Sequence, residues 1–268
     1  MDYEGLSSKK GIEFSGEYVS VFTYRNSKGK IKYDIDELED VDIFGVSDFM
    51  YKIPCIRAIW DAVEDEDSKM KTVFKLIVLL LPVLVFSNKI GTFDFNMGYV
   101  AYLIIIMLPF ILGFFSMRST STGQYHAAEH MVCNAFDQDL PLTMENVQKQ
   151  KRTHYFCGTN ETSFRIIIFI LLSVCVYIFN FPLQAPIIFI ASLMIAYELS
   201  YIEKGVLKVV FKPLFMFGRF MQYYIFTNTP EKEHVEIAIA SFKKFYELEI
   251  KAENKVKKRA KRKKKYKK

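Results

Sequence analysis

Histidines carry the most chemistry in this chain, and they are few. Only four occur, and three of them, His126, His130 and His154, fall within thirty positions of one another. Residues four apart on an α-helix share a face. In Tyr125-His-Ala-Ala-Glu-His130 the imidazoles of His126 and His130 can therefore reach one metal ion, with Glu129 beside them. The spacing H-x-x-E-H is the inverted form of the H-E-x-x-H arrangement of zinc hydrolases. A second pair of donors follows in Thr153-His-Tyr-Phe-Cys-Gly158, where His154 and Cys157 lie beside a glycine that permits a tight turn. Imidazoles with one thiolate suit a divalent ion of the zinc type. Such an ion lowers the pKa of its bound water to about 7. The expectation is a metal site with His126, His130 and His154 as ligands, Cys157 as a further ligand or support, and Glu129 as general base. An ordinary surface helix also produces H-x-x-E-H, but the scarcity of histidine elsewhere argues for the metal.

These residues need a helix and a turn to hold them. Ser121 or Thr122 can cap a helix that carries His126, and Ala127, Ala128, Val132 and Ala135 give it a small, close-packing side. A second helix starts behind Thr143 as N-cap and runs to about Arg152. His234 belongs to a charged helix face, and Cys133 and Cys175 read as small packing residues.

The remainder of the chain has clumped apolar residues. Of 268 residues 51% are hydrophobic, with 25 Phe and 16 Tyr, and four runs stand out: Thr72 to Phe86, Tyr99 to Phe115, Phe164 to Phe181 and Ala185 to Ile202. The first is short but Lys75 can snorkel. The expected fold is a mostly α integral membrane protein with four transmembrane helices. Lys69, Lys71, Arg118, Lys149, Arg152, Lys204 and Lys208 border one set of ends, so both termini face the cytoplasm of a multi-pass protein in the cytoplasmic (inner) membrane. Residues 1–71 form a cytoplasmic region with a β-hairpin (Tyr18 to Tyr24, Ile31 to Ile35, turned by Asn26 and Gly29), an acidic loop at Asp34 to Asp42 and a short helix around Trp60. Residues 72–206 hold the spans, with the metal loop at 117–163. Residues 207–251 supply an interfacial helix and an amphipathic cytoplasmic helix whose stripe is Val235, Ile239, Phe242 and Phe245 or Tyr246. Residues 252–268 form a basic, disordered tail; from Lys255 on it holds eleven Lys or Arg and no acid. The tail suits anionic lipid at the bilayer better than nucleic acid, because no nucleic-acid fold or interleaved aromatics accompany it. No amino-terminal signal sequence is apparent, and scattered cysteines argue against a disulfide framework.

Glu198, near the end of the fourth run, is costly at that depth unless it meets a polar cavity or a cation. It is a candidate support for the site, and an interfacial glutamate is the alternative. Arg165, at the start of the third run, is its partner or an orienting charge.

Taken in order, Tyr125-His-Ala-Ala-Glu-His130, Leu142-Thr-Met-Glu-Asn146, His154-Tyr-Phe-Cys-Gly-Thr159 and Tyr197-Glu198 resemble the motifs of the YqhQ-like bacterial membrane proteins, a domain of unknown function described as predicted metal-dependent enzymes. Lys52 to Arg57 and Glu236 to Ala240 resemble that pattern too, so the likeness covers about residues 11 to 248. It implies an integral membrane protein with a metal site. Two departures stand out: Ala127 and Met131 replace a glycine and a basic residue, and Gly11 to Ser20 only faintly matches a glycine-rich motif containing a Glu-Gly pair. Glu13, Gly16 or Glu17 would fill that motif's role, or activity has been lost.

The first functional reading is a metal-dependent hydrolase at the cytoplasmic membrane interface, acting on a lipid-linked or membrane-protein substrate. The alternative is a non-enzymatic protein with a structural metal that assists membrane-protein assembly. Three protein ligands and a free carboxylate favour the first, and four closing ligands favour the second. A transporter fits less well, because repeated or broken spans are lacking.

Overall fold

The computed structural model of the protein describes residues 3–38, 118–179, 185–200, 202 and 205–266. Among them the elements are β1 (Glu4–Ser7), β2 (Gly11–Ser15), β3 (Val19–Arg25), β4 (Ile31–Glu37), α1 (Ser121–Asp137), α2 (Met144–Gln148), α3 (Gly158–Ile178), α4 (Ala185–Ser200), α5 (Val206–Val210), α6 (Lys212–Met221), a π-helical turn (Gln222–Phe226) and α7 (Lys232–Tyr266). They divide into two units. One comprises Met1–Val41, Ile111–Tyr155 and Gln222–Lys268; the other comprises Asp42–Phe110 and Phe156–Met221.

In the first unit the expected hairpin is present. β3 and β4 pair antiparallel from Val19 opposite Glu37 to Arg25 opposite Ile31. Asn26 Oδ1 accepts from the N–H groups of Lys28 and Lys30, and Gly29 takes φ +74°, a conformation that only glycine adopts cheaply. Two more strands extend the hairpin into a sheet of order β1-β2-β3-β4. Sequence reading misses them because they have only 4 and 5 residues, too few for a clear period. The acidic stretch expected as a loop is strand as far as Glu37, with its polar side chains exposed on the edge strand β4.

One face of the sheet is apolar and is covered by helices. Ile12, Phe14, Val19 and Val21 pack with Ala128, Val132 and Ala135 of α1 and with Val235, Ala238, Phe242 and Phe245 of α7. Phe14 and Phe242 meet edge to face at 5.0 Å. The apolar stripe expected on the last helix thus docks on the sheet, with Phe245 inside and Tyr246 at the rim. The carboxylate of the buried Glu249 accepts from the N–H groups of Glu17, Tyr18 and Val19, pinning α7 to the β2–β3 turn. The basic stretch does not behave as the expected disordered tail: α7 runs to Tyr266. No Gly or Pro interrupts it, and Glu247–Lys251 and Glu253–Lys257 pair one turn apart.

The second unit holds α3 to α6, and here the four-span, mostly α expectation is overturned. Among the described residues one stretch, Gly158–Val176 of α3, is long and apolar enough to cross a membrane. α4 has 16 residues and falls short. The runs at 72–86 and 99–115, like the helix around Trp60, lie outside the described residues. Together with the four-stranded sheet this makes a chain of mixed α and β structure. Inside the unit, Phe164 meets Phe215 of α6 at 5.0 Å and Phe169 meets Phe189 of α4 at 6.2 Å. Ser173 and Ser192 are buried, while Ile170, Leu171, Val174, Ile178 and Ile187 are exposed.

Candidate metal centre

α1 is buried almost all round, which brings its polar residues into the interior with its apolar ones. Its N-cap is Thr120, without a side-chain cap bond. Ser121, an expected cap, donates instead to the Lys9 carbonyl. Thr143 does cap α2, accepting from the Asn146 N–H, although α2 ends at Gln148.

One turn apart, the rings of His126 and His130 have centroids 4.3 Å apart. His130 Nδ1 lies 2.7 Å from the Arg152 carbonyl and His126 Nδ1 lies 3.3 Å from the Phe226 carbonyl. A carbonyl can only accept, so each Nδ1 carries a proton, an arrangement that in a neutral ring leaves the lone pair on Nε2. His130 Nε2 is buried, and it has no hydrogen-bond partner among the described residues. That is the stance of a metal-binding imidazole, whose other nitrogen is fixed by a carbonyl. His126, His130 and Cys157 each offer a ligand atom, and these atoms lie within 4.8 Å of one another. Cys157 Sγ also lies 3.0 Å from the Thr159 hydroxyl. The three residues form a group that could hold a metal ion.

His154, expected as a ligand, is not in that group. Its Nε2 lies 2.8 Å from Asp137 Oδ2, and the Tyr3 hydroxyl donates to the other carboxylate oxygen. The hydrogen bond from His154 holds the Asp137 carboxyl below its ordinary range, and burial pushes the Tyr3 hydroxyl up. His154 still stands close by, its ring centroid 5.9 Å from that of His130. Glu129 is buried on the neighbouring side of α1, where its carboxylate accepts from the Ser7 hydroxyl. It also fills the space above Gly5, where a Cβ would come within 2.3 Å of Oε1. A side chain there would be accommodated only if the Glu129 side chain shifted.

Other singled-out residues lie elsewhere. Glu198 is half-buried on α4, and Arg165 on α3 pairs with Glu161 of the same helix. Glu13 accepts from Ser20, and Glu17 donates its N–H to Glu249. Cys133 packs in the core as expected, whereas Cys175 is exposed. His234 is not simply solvated: its ring lies 4.5 Å from that of Tyr125 and burial depresses its pKa.

Sequence reading missed Asp137, Ser7, Gly5 and Gln222. The chain does hold a Glu-Gly pair at Glu4-Gly5, ahead of the Gly11 to Ser20 stretch compared with the glycine-rich motif. Asp137 and Gln222 had no local signal, because their roles depend on contacts 17 and 68 positions away.

Residues 71–248 match a family model described as protein of unknown function (DUF1385). An uncharacterized protein YqhQ of Bacillus subtilis (strain 168) is 30% identical over 191 residues, covering 67% of this chain. The chain spans 59% of that relative's length. No solved structure matches.

Proposed function

We propose, from the premise that the chain belongs to the DUF1385 family of proteins of unknown function, that it is a zinc-type metal-dependent hydrolase anchored in a membrane. The observation that carries this reading is the buried, unpartnered Nε2 of His130. A divalent ion would be held by His126, His130 and Cys157 and would supply Lewis acidity toward a water or a carbonyl. The donor count supports catalysis over a closed structural site, since His154, the expected fourth donor, has its Nε2 engaged with Asp137. Glu129 is the carboxylate for proton transfer, and Ser7 orients it.

The membrane reading is supported by α3. A helix of a soluble core is mostly buried, but only 33% of its apolar stretch is, leaving Ile170, Leu171, Val174 and Ile178 outside. The substrate is then membrane-borne, lipid-linked or a membrane protein, and the basic end of α7 suits anionic lipid on the cytoplasmic side.

A structural ion is the second reading, favoured by the depth of the pair: His126 is 5% and His130 1% exposed. Elemental analysis and one variant separate the outcomes. The purified chain should carry stoichiometric zinc, and the double variant His126→Ala, His130→Ala none. Glu129→Gln should keep the metal and lose hydrolysis across a panel of lipid-linked esters and membrane-protein peptides. Full metal in the double variant overturns the site, and unchanged hydrolysis by Glu129→Gln overturns its catalytic role.

A further inference from the structure

The π-helical turn Gln222–Phe226 touches every histidine of the candidate centre, directly or through one residue. A π turn adds a residue to the helical repeat, and such turns occur often at functional sites. It closes here through Thr227, whose N–H and hydroxyl both donate to the Gln222 carbonyl, at 2.9 and 2.7 Å. The last carbonyl of the turn, Phe226, is the one that His126 Nδ1 meets. Tyr223 lies under the Arg152 guanidinium, 4.3 Å from ring centroid to Cζ, and the Arg152 carbonyl is the acceptor for His130. The side chain of Gln222, fully buried, grips the His154 backbone at two points. Its Oε1 accepts from the His154 N–H at 2.9 Å, and its Nε2 donates to the His154 carbonyl at 3.0 Å.

A glutamine amide placed this way acts like one rung of a β-ladder. It fixes the segment Arg152–His154, which otherwise has no regular secondary structure. Fixing that segment holds the Arg152 carbonyl against His130, which keeps the His130 proton on Nδ1 and its Nε2 lone pair turned toward the other donors.

We infer that Gln222 is a positioning residue for the metal centre: its amide, set by the π turn, fixes the His154 segment and through it the tautomer and direction of His130. The inference rests on the metal reading above, but it makes a claim about His130 that stands without an ion. Gln222→Met keeps the length and volume of the side chain and removes both hydrogen bonds. The experiment compares the full-length wild type with this variant and with Phe245→Leu, a core change beside Phe14 and Phe242 that removes no hydrogen bond and controls for general destabilisation.

In metal-free protein, nitrogen NMR of the imidazoles should report His130 as the Nδ1–H tautomer in the wild type and in Phe245→Leu, and as a mixture in Gln222→Met. In zinc titrations against a chelator, Gln222→Met should bind about 10- to 100-fold more weakly, as for loss of a residue that orients a ligand, with helix content kept. An unchanged His130 tautomer in Gln222→Met overturns the inference, as does weakening matched by Phe245→Leu. If the wild type binds no metal, the metal reading fails and the tautomer measurement alone decides this one.

Discussion

The two units solve opposite problems with burial. In the first, polar groups are brought inside and satisfied one by one: Glu249 by three backbone N–H groups, Asp137 by His154 and Tyr3, Glu129 by Ser7, and His154 by Gln222. Among the described residues of this unit the exceptions are His130 Nε2, Thr23 Oγ1, Arg25 Nε and His234 Nδ1, and of these His130 Nε2 belongs to the histidine pair. In the second, Ser173 and Ser192 lie inside with Ile168 and Ile188, while Ile170, Leu171, Val174, Ile178 and Ile187 face out. Burial in water rewards the first pattern. The second suits lipid, where tails are as apolar as leucine and close packing of small residues draws helices together. On the proposed membrane reading, the exposed aliphatic side chains of α3 are the surface that meets lipid.

The largest test of this contrast is a charge on the outer face of α3. Leu171 is 57% exposed. At a water-facing site, Leu171→Lys would change stability by about 0.5 kcal/mol or less; in a bilayer it costs about 3 kcal/mol. Most of the variant should leave the membrane fraction on carbonate extraction, and unchanged fractionation would remove the lipid-facing role of α3.

Next in size is the Glu249 latch. Glu249→Ala leaves the N–H groups of Glu17, Tyr18 and Val19 without their acceptor in a buried corner and should destabilise the first unit by about 2 to 3 kcal/mol. Glu253→Ala, one turn further along α7 and exposed to water, should change it by less than about 0.5 kcal/mol. Hydrogen exchange at the β2–β3 turn distinguishes them, and equal effects would show that the carboxylate does not pin the helix.

A smaller effect is expected from Gly5→Ala. The added methyl would push against Glu129 and should cost about 1 to 2 kcal/mol, read as a lower unfolding temperature. Gly29→Ala, in the hairpin turn with open space around it, should cost about 1 kcal/mol through its positive φ alone.

The smallest is a pH effect at His234. Burial holds its pKa below the ordinary 6.5, against the pull of Glu231 and Glu233. As pH falls the unfolded chain takes this proton first, so the contribution is complete above 6.5 and declines below it. From about pH 7.5 to about pH 5.5 the wild type should lose stability relative to His234→Gln. A constant difference in unfolding temperature would mean that the ring is not desolvated.

Local signals made part of this legible. Alternation and an Asn/Gly turn gave the β3–β4 hairpin, helical period gave the docking stripe of α7, and i, i+4 spacing gave the His126–His130 pair. Hydropathy was a poorer guide, because an apolar run states its environment but not its length as a helix; the run from Ala185 to Ile202 reads as a span, and α4 as described has 16 residues. His154 and Cys157 are inseparable in sequence, each a donor beside Gly158. What separates them is Asp137, which takes His154 Nε2 across a fold that no local spacing encodes. That the basic end of α7 is helical is hidden for a similar reason, since composition alone does not register a helix already anchored through Glu249.

Zinc X-ray absorption of the zinc-loaded full-length protein reads the proposed donor set directly. The prediction is two imidazole nitrogens at about 2.0 Å and one sulfur at about 2.3 Å, with the sulfur lost in Cys157→Ser and zinc lost in His130→Ala. Zinc that stays bound in His130→Ala, or a first shell without sulfur in the wild type, would contradict it.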